Sequence, residues 1–116
     1  MENNEICKEV CIEENHSLEK YFAENEKHER YIKKEIYNNI LILINERPHK
    51  IKTVRGYKYK GKTIYEYKIP LGKDLACRVA YIYIDDKILV FFISNTIRKN
   101  LYTRLVSKVK GVVKAW

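Results

Sequence analysis

The sequence predicts an α+β fold, in which helices from the first half of the chain pack on a sheet formed by the second half. Two observations support this prediction. Apolar residues recur at helical spacing between residues 26 and 46, and from residue 50 onward they alternate with lysine as in half-buried strands. The chain has 116 residues, which fits a single domain over residues 1–116.

The N-terminal region predicts a strand followed by a short helix. Residues 5–12, EICKEVCI, resemble a short strand with an impure apolar alternation, so residues 1–15 are interpreted as an N-terminal strand or extension. Ser17 is a candidate N-cap for a short helix over residues 17–25, because a serine hydroxyl can accept from a free amide of the first turn.

A second and longer helix is predicted over residues 26–46, with Asn25 as its cap. Isoleucines at every fourth position, 32, 36 and 40, indicate one buried face. Glu29 and Lys33 form a favourable pair one turn apart. Pro48 ends the helix, because a proline disfavours helical backbone in the residue before it.

Four strands are predicted after this helix, separated by turns at residues 60–62, 70–74 and 85–86. The last strand, KILVFFIS, is apolar on both faces, which is typical of a central strand. Asn95 or Thr96 is expected to cap a short C-terminal helix that runs to about Val109. The predicted fold is therefore two N-terminal helices packed on an antiparallel sheet of four to five strands, with a short C-terminal helix.

Charge divides the chain into an acidic and a basic part. Residues 1–46 carry a net charge of −5 and residues 47–116 a net charge of +13, within a total of +8. Such asymmetry favours a polyanion-binding face, and nucleic acid is the expected polyanion. The alternative is a solvated lysine-rich surface without a specific partner.

Strand parity places an arginine in the middle of the sheet. Arg78 shares a face with Ala76 and Ala80 on the third predicted strand, whereas Glu66 and Lys68 share a face of the second. A mid-strand arginine needs a partner or a bound anion. Two interpretations stay open: an ion pair with Glu66, or a basic phosphate-binding site completed by the cluster Arg98, Lys99 and Tyr102.

The run CRVAYIYIDDKILVFFISNTIRKNLY resembles the C-terminal half of toxins of the RelE/ParE superfamily, and most closely the RelE branch. The matching features are RVAY, the acidic turn, the apolar strand, IRK and the tyrosine that follows. YEYKI and LINERP upstream resemble the preceding strand and the helix-to-strand junction, so the resemblance extends over roughly residues 5–109. It implies a toxin of a type II toxin–antitoxin system.

The resemblance implies a metal-independent endoribonuclease that cuts messenger RNA on the ribosome without a cofactor. The RNA supplies its own 2′-OH nucleophile, and fixed cations stabilise the phosphate. Lys68 and Arg78 match positions that handle the phosphate and the attacking hydroxyl. Arg98 matches a residue that stabilises the transition state or assists the leaving group, and Tyr102 matches the aromatic residue that contacts the substrate nucleotide.

The sequence also departs from the RelE pattern. Glu66 stands where a second active-site lysine is expected, so it is a candidate general base or an ion-pair partner of Arg78. Two alternative functions therefore remain. One is a ParE-like inhibitor of DNA gyrase without nuclease activity, and the other is a non-catalytic protein that binds nucleic acid.

Further basic residues are candidates for RNA contact. The stripe of Lys58, Lys60 and Lys62 is suited to ribosomal RNA phosphates, or equally to protection of an edge strand. The complete set of candidate RNA-binding residues is Arg55, Lys58, Lys60, Lys62, Lys99 and Arg104.

The remaining sequence features predict an intracellular protein without a metal site. Three cysteines, an odd and low number, argue against a disulfide framework and favour a reducing cytoplasm. Cys7, Cys11 and His16 lack a second ligand pair, so no metal is expected. No apolar stretch reaches 18 residues and the N-terminus is polar and acidic, so neither a membrane nor a signal peptide is expected. The expected partners are a cognate antitoxin, messenger RNA and the ribosome.

Overall fold

A computed structural model of the protein describes residues 9–115, in which three α-helices pack on a six-stranded mixed sheet. The helices are α1 (His16–Glu24), α2 (Glu29–Glu46) and α3 (Lys99–Ser107). The strands are β1 (Glu9–Ile12), β2 (Lys52–Tyr59), β3 (Lys62–Gly72), β4 (Leu75–Ile84), β5 (Lys87–Ser94) and β6 (Val112–Lys114). The predicted α+β class is confirmed.

The strand order across the sheet is β1-β5-β4-β3-β2-β6. β1 runs parallel to β5 and the other neighbours are antiparallel, so the prediction of a purely antiparallel sheet is wrong. The predicted count of four to five strands is also exceeded, because β6 pairs with the end of β2. A strand of three residues is too short to show an alternating pattern, so it could not be recognised from the sequence.

Both N-terminal helices begin at residues other than those predicted. The side chain of Asn15, not Ser17, caps α1 and accepts a 2.8 Å hydrogen bond from the amide of Leu18. Asn25 closes the C-terminal end of α1 and donates its side-chain amide to the Tyr21 carbonyl. A 3₁₀ turn over Glu26–His28 then precedes α2, so the cap function expected of Asn25 at α2 is absent.

The end of α2 and the pair on its surface agree with the sequence. α2 ends at Glu46, one residue before the Arg47–Pro48 junction. Lys33 lies 2.7 Å from Glu29, one helical turn away. The three isoleucines of its buried face are completely enclosed, as their spacing predicts.

Three hairpins hold β2 to β5 in register, and the turns of the first and the last are alike. Lys60 with Gly61 and Asp85 with Asp86 form two-residue turns in which both residues have positive φ, the geometry that suits tight hairpins. The bounds of β4 and β5 agree with the prediction. β3 is longer than predicted: it continues through Pro70 to Gly72, and the chain turns at residues 73 and 74.

β5 is buried on both faces because helices cover both sides of the sheet. Ile88, Val90 and Ile93 belong to the core beneath α1 and α2, whereas Phe91 belongs to the core beneath α3. A bulge at Phe91 interrupts the pairing with β4, since Ala80 pairs with Phe92 and Tyr81 with Val90. Both alternating sets of residues in β5 are therefore apolar because each set faces a core, as the sequence predicts.

The tip of the β2–β3 hairpin folds over the face that carries α3. Tyr59 stacks on Phe91 with ring centroids 4.0 Å apart, and its hydroxyl donates a 2.6 Å hydrogen bond to Glu13 beyond β1. The two edges of the sheet thus approach each other on this side. No helix within residues 9–115 is long and apolar enough to cross a membrane.

α3 starts later and ends earlier than predicted. Its N-cap position is Arg98, and no side chain caps it. Thr96 instead donates its backbone amide to the hydroxyl of Ser94. The segment from Asn95 to Arg98 therefore crosses the end of the sheet as extended and bent chain before the helix begins.

Candidate nucleic-acid interface

A buried carboxylate lies at the centre of the predicted site. Glu66 on β3 is fully buried, and each of its two oxygens is held by a cation. Nη1 of Arg78 lies 2.5 Å from one oxygen, and Nζ of Lys99 lies 2.6 Å from the other. Burial of a charged group requires such pairing, so Glu66 ties β3, β4 and the start of α3 together.

Arg78 is also held by contacts other than its ion pair with Glu66. Its Nε donates a 2.8 Å hydrogen bond to the carbonyl of Ile97, and its guanidinium lies 5.9 Å from the centroid of the Tyr102 ring. The side chain retains only 17% of its accessible surface. Arg78 therefore contributes a positive charge at a fixed position with a narrow exposed surface.

Two exposed cations flank this fixed pair. Lys68 on β3 is the register partner of Arg78 on β4, so the two side chains leave the same face of the sheet. Arg98 is exposed at the N-cap position of α3. Unpaired amides make a helix N-terminus electropositive, which adds to the field of the side chains.

Lys99 is both paired with the buried Glu66, like Arg78, and partly exposed, like Lys68 and Arg98. Its ammonium bridges Glu66 and the carbonyl of Thr53 on β2, yet 49% of the side chain stays exposed. The structure thus brings together four predicted cations around one buried carboxylate. We call this set, Lys68, Arg78, Arg98 and Lys99, the basic cluster. Its net positive charge and its position at the start of α3 suit a phosphate group.

The role expected of Tyr102 does not fit its environment. Tyr102 belongs to α3, is fully buried, and packs against Phe92 with ring centroids 5.7 Å apart. Its hydroxyl contacts the Arg78 carbonyl at 3.3 Å. The ring therefore has no free face on which a nucleotide could stack. Its contacts are instead with the guanidinium and the backbone carbonyl of Arg78.

The hydroxyl of Tyr102 is also unsuited to proton transfer. Burial raises the pKa of Tyr102 well above its ordinary value, and the nearby Glu66 carboxylate raises it further. The hydroxyl stays protonated and enclosed at neutral pH. The sequence could not reveal this, because a tyrosine on an amphipathic helix fits a core position as well as an exposed one.

Of the two roles open to Glu66, the structure shows the ion pair. A general base must reach the proton that it removes, and both oxygens of this carboxylate are occupied and shielded from solvent. The pair with Arg78 was one of the two interpretations that strand parity left open. The contact with Lys99 does not follow from parity, because it depends on where α3 enters.

The remaining candidate RNA-binding residues lie apart from the basic cluster. Lys60 and Lys62 sit at the tip of the β2–β3 hairpin, and the six residues from Lys62 to Lys68 span about 20 Å of strand. Lys60 lies 3.9 Å from Glu13 and above the Tyr59 ring. These lysines form a second basic surface rather than part of the same site.

The other basic candidates are distributed over two elements. Lys58 is partly buried on β2 and Arg55 is exposed on the same strand, beside the register shift between Thr53 and Lys58. Arg104 is exposed on α3. Sequence reasoning missed Lys52, an exposed residue that is the register partner of Glu66 and lies next to the basic cluster. The irregular register of β2 hides that position from a parity argument.

The cysteine and histidine candidates do not converge. Within residues 9–115, no three side chains among His, Cys, Asp and Glu lie close enough to hold a metal ion. Cys7 lies outside the described residues. Cys77 is completely buried between the sheet and the N-terminal helices, where burial raises the pKa of its thiol to about 11.

Comparisons with known proteins add no assignment. No protein-family model matches the chain, and neither the curated proteins nor the solved structures contain a match to it.

Proposed function

We propose that the protein is a RelE-like toxin, a metal-independent and ribosome-dependent endonuclease that cuts messenger RNA. The observation that supports this proposal best is the basic cluster: Lys68, Arg78, Arg98 and Lys99 gather at the end of the central strands and the start of α3. These are the positions on which the resemblance to the RelE branch rests.

The order of elements is compatible with the proposal. A strand precedes two helices, a run of antiparallel strands follows, and a short helix enters after the most apolar strand. The resemblance implies the same order. The net charge of +13 after residue 46 provides the long-range attraction that a ribosomal complex needs.

The proposed reaction is transesterification within the RNA. The 2′-OH loses its proton and its oxygen attacks the adjacent phosphorus, while the bond to the 5′-oxygen breaks and that oxygen takes up a proton. The products are a 2′,3′-cyclic phosphate and a free 5′-OH. Arg78, held rigid by Glu66 and Ile97, stabilises the negative charge that accumulates on the phosphate. Lys68 and Arg98 are exposed. In the proposed reaction Lys68 acts at the attacking oxygen and Arg98 at the leaving oxygen, as the resemblance implies.

A second candidate function is binding of a polyanion without catalysis. Two observations favour it: Glu66 is paired with both Arg78 and Lys99 and offsets one of their two charges, and Tyr102 is enclosed. A ParE-like inhibitor of DNA gyrase is a separate alternative, which binds a protein target and also needs no catalytic group.

Primer extension on messenger RNA after induced expression tests the proposal. The wild-type protein is expected to cut messenger RNA, and Lys68→Ala or Arg98→Ala is expected to lower cutting about 10²–10³-fold while the fold stays intact. Lys73→Ala is the matched control, because Lys73 is an exposed lysine in the β3–β4 turn. Toxicity without any cut would refute the nuclease, and a supercoiling assay would then test gyrase inhibition.

The proposed regulatory partner is a cognate antitoxin. An acidic or amphipathic segment is expected to cover the basic cluster and the exposed side of α3, where Leu101 and Leu105 remain more than one third accessible. A complex that left Arg78 and Arg98 open to solvent would contradict occlusion as the means of inhibition.

A further inference from the structure

A pocket of about 450 Å³ lies between the C-terminal half of α2 and the edge of β3. It exists because β2 pairs with β3 only as far as the Lys52–Glu66 position. Beyond Glu66, β3 runs on to Gly72 without a neighbouring strand on that side among the described residues. The volume falls within the range of small-molecule sites.

The floor and walls of the pocket are apolar. Ile69 and Tyr67 are buried on β3, Leu43 is partly buried on α2, and Pro70 lies exposed at the rim. The hydroxyl of Tyr67 is buried and has no hydrogen-bond partner among the described residues. An aromatic ring fits such walls, because it is flat and makes contact over both faces.

Two polar side chains enter from α2, one turn apart. Glu35 supplies a carboxylate, which only accepts hydrogen bonds, and Asn39 supplies an amide, which both donates and accepts. Bases are read in this way, through hydrogen bonds to the donor and acceptor pattern of their edges. A purely aliphatic or fatty ligand would not use these groups.

Cations surround the mouth. Arg47 and Lys50 are exposed where α2 leads into β2, and Lys68 is exposed on β3. Lys68 lines the pocket and also belongs to the basic cluster, but its strand neighbours Tyr67 and Ile69 face α2, whereas Arg78 lies on the other face of the sheet. The two sites therefore meet at the open edge of β3. A nucleic-acid strand that bends around this edge would place one phosphate at the cluster and the next base at the pocket.

We propose that this pocket is a base-recognition subsite, which accepts the base of a nucleotide next to the phosphate held by the basic cluster. The subsite rests on the proposed RNA substrate and adds a source of sequence preference. Glu35 accepts from the exocyclic amine of adenine, cytosine or guanine. Uracil has no such amine, and its one ring donor, N3–H, lies between two carbonyl oxygens that would face the carboxylate, so it is expected to bind most weakly.

Nuclear magnetic resonance titration of the full-length protein with AMP, CMP, GMP and UMP tests the subsite directly. Amide signals of Asn39 and Lys50 are expected to shift with the three amine-bearing nucleotides, and UMP is expected to bind about tenfold more weakly. Glu35→Gln should remove most of this difference, because its amide can also donate to a carbonyl. Glu46→Gln makes the same charge change on the same helix and should preserve the difference.

The outcomes separate this inference from the proposed function. Pocket signals that respond to no nucleotide, or equally to all four in the wild type, would overturn the subsite even if messenger RNA is cut. Nucleotide binding with the expected preference would support it even if primer extension shows no cut. Larger shifts with hexaglutamate than with any nucleotide would overturn it in favour of an acidic peptide at the open edge of β3.

Discussion

Removal of Arg78 should destabilise the fold through the carboxylate that it leaves behind. Glu66 is fully buried, and Arg78 is its more buried partner, with 17% of its side chain exposed against 49% for Lys99. Loss of one member of a buried ion pair costs about 3–5 kcal/mol. Lys99 still compensates part of the charge, whereas the hydrogen bond to Ile97 is lost as well and adds about 1 kcal/mol.

We therefore expect Arg78→Ala to lower the free energy of unfolding by about 3–4 kcal/mol. The corresponding fall in melting temperature is about 12–16 °C for a domain of this size. Replacement of both partners, Glu66→Met with Arg78→Met, should restore a large part of the loss, because no unpaired charge is then buried. Urea and thermal unfolding of Glu66→Met, of Arg78→Met and of the double variant measure the coupling between the two residues.

Lys68→Ala is the control for this experiment. Lys68 is the register partner of Arg78 but is exposed, so its loss should change the free energy of unfolding by less than about 0.5 kcal/mol. The reasoning is refuted if Arg78→Ala unfolds within about 1 kcal/mol of the wild type. It also fails if the losses in the two single variants simply add in the double variant. The first result would leave Arg78 free to serve catalysis alone, and the second would show that Arg78 and Glu66 stabilise the fold independently of each other.

Three further predictions concern other parts of the molecule. Tyr102→Phe should leave stability and toxicity nearly unchanged, since the hydroxyl makes one 3.3 Å contact, whereas Tyr102→Ala should cost about 3–5 kcal/mol in thermal unfolding; equal effects of both would contradict the packing role. Alanine at Lys58, Lys60 and Lys62 together should reduce the slope of log affinity for RNA against log salt by about 2, and an unchanged slope would exclude these lysines from the interface. Stability should fall as pH rises from 8 to 10, because the unfolded chain loses the Cys77 proton near pH 9 while the folded thiol keeps it to about 11. Cys77→Ala should lessen that fall by about 1 kcal/mol in urea unfolding, and an identical fall in both proteins would show that the thiol is not responsible.

The sequence by itself determined the features that depend on neighbouring residues. The isoleucine spacing of α2, the alternation in β3 and β4 and the dipeptide Asp85-Asp86 follow from helical period, strand period and turn chemistry. Strand parity grouped Glu66 with Lys68 on one strand and left open what Arg78 on the next strand meets. The register of β3 and β4, in which Lys68 pairs with Arg78 and Glu66 with Ala80, places all three on one face.

Only the tertiary structure decided what those residues contact. Lys99 meets Glu66 and Thr53 from 33 and 46 positions away, and it does so because the chain crosses the end of the sheet before α3 begins. The same placement encloses Tyr102, which a sequence pattern assigns equally well to a surface. The pocket beside β3 exists because β2 begins only at Lys52, opposite Glu66, and no local sequence signal marks how far two strands pair. Periodicity is a property of adjacent residues, whereas burial and charge pairing depend on how distant elements pack.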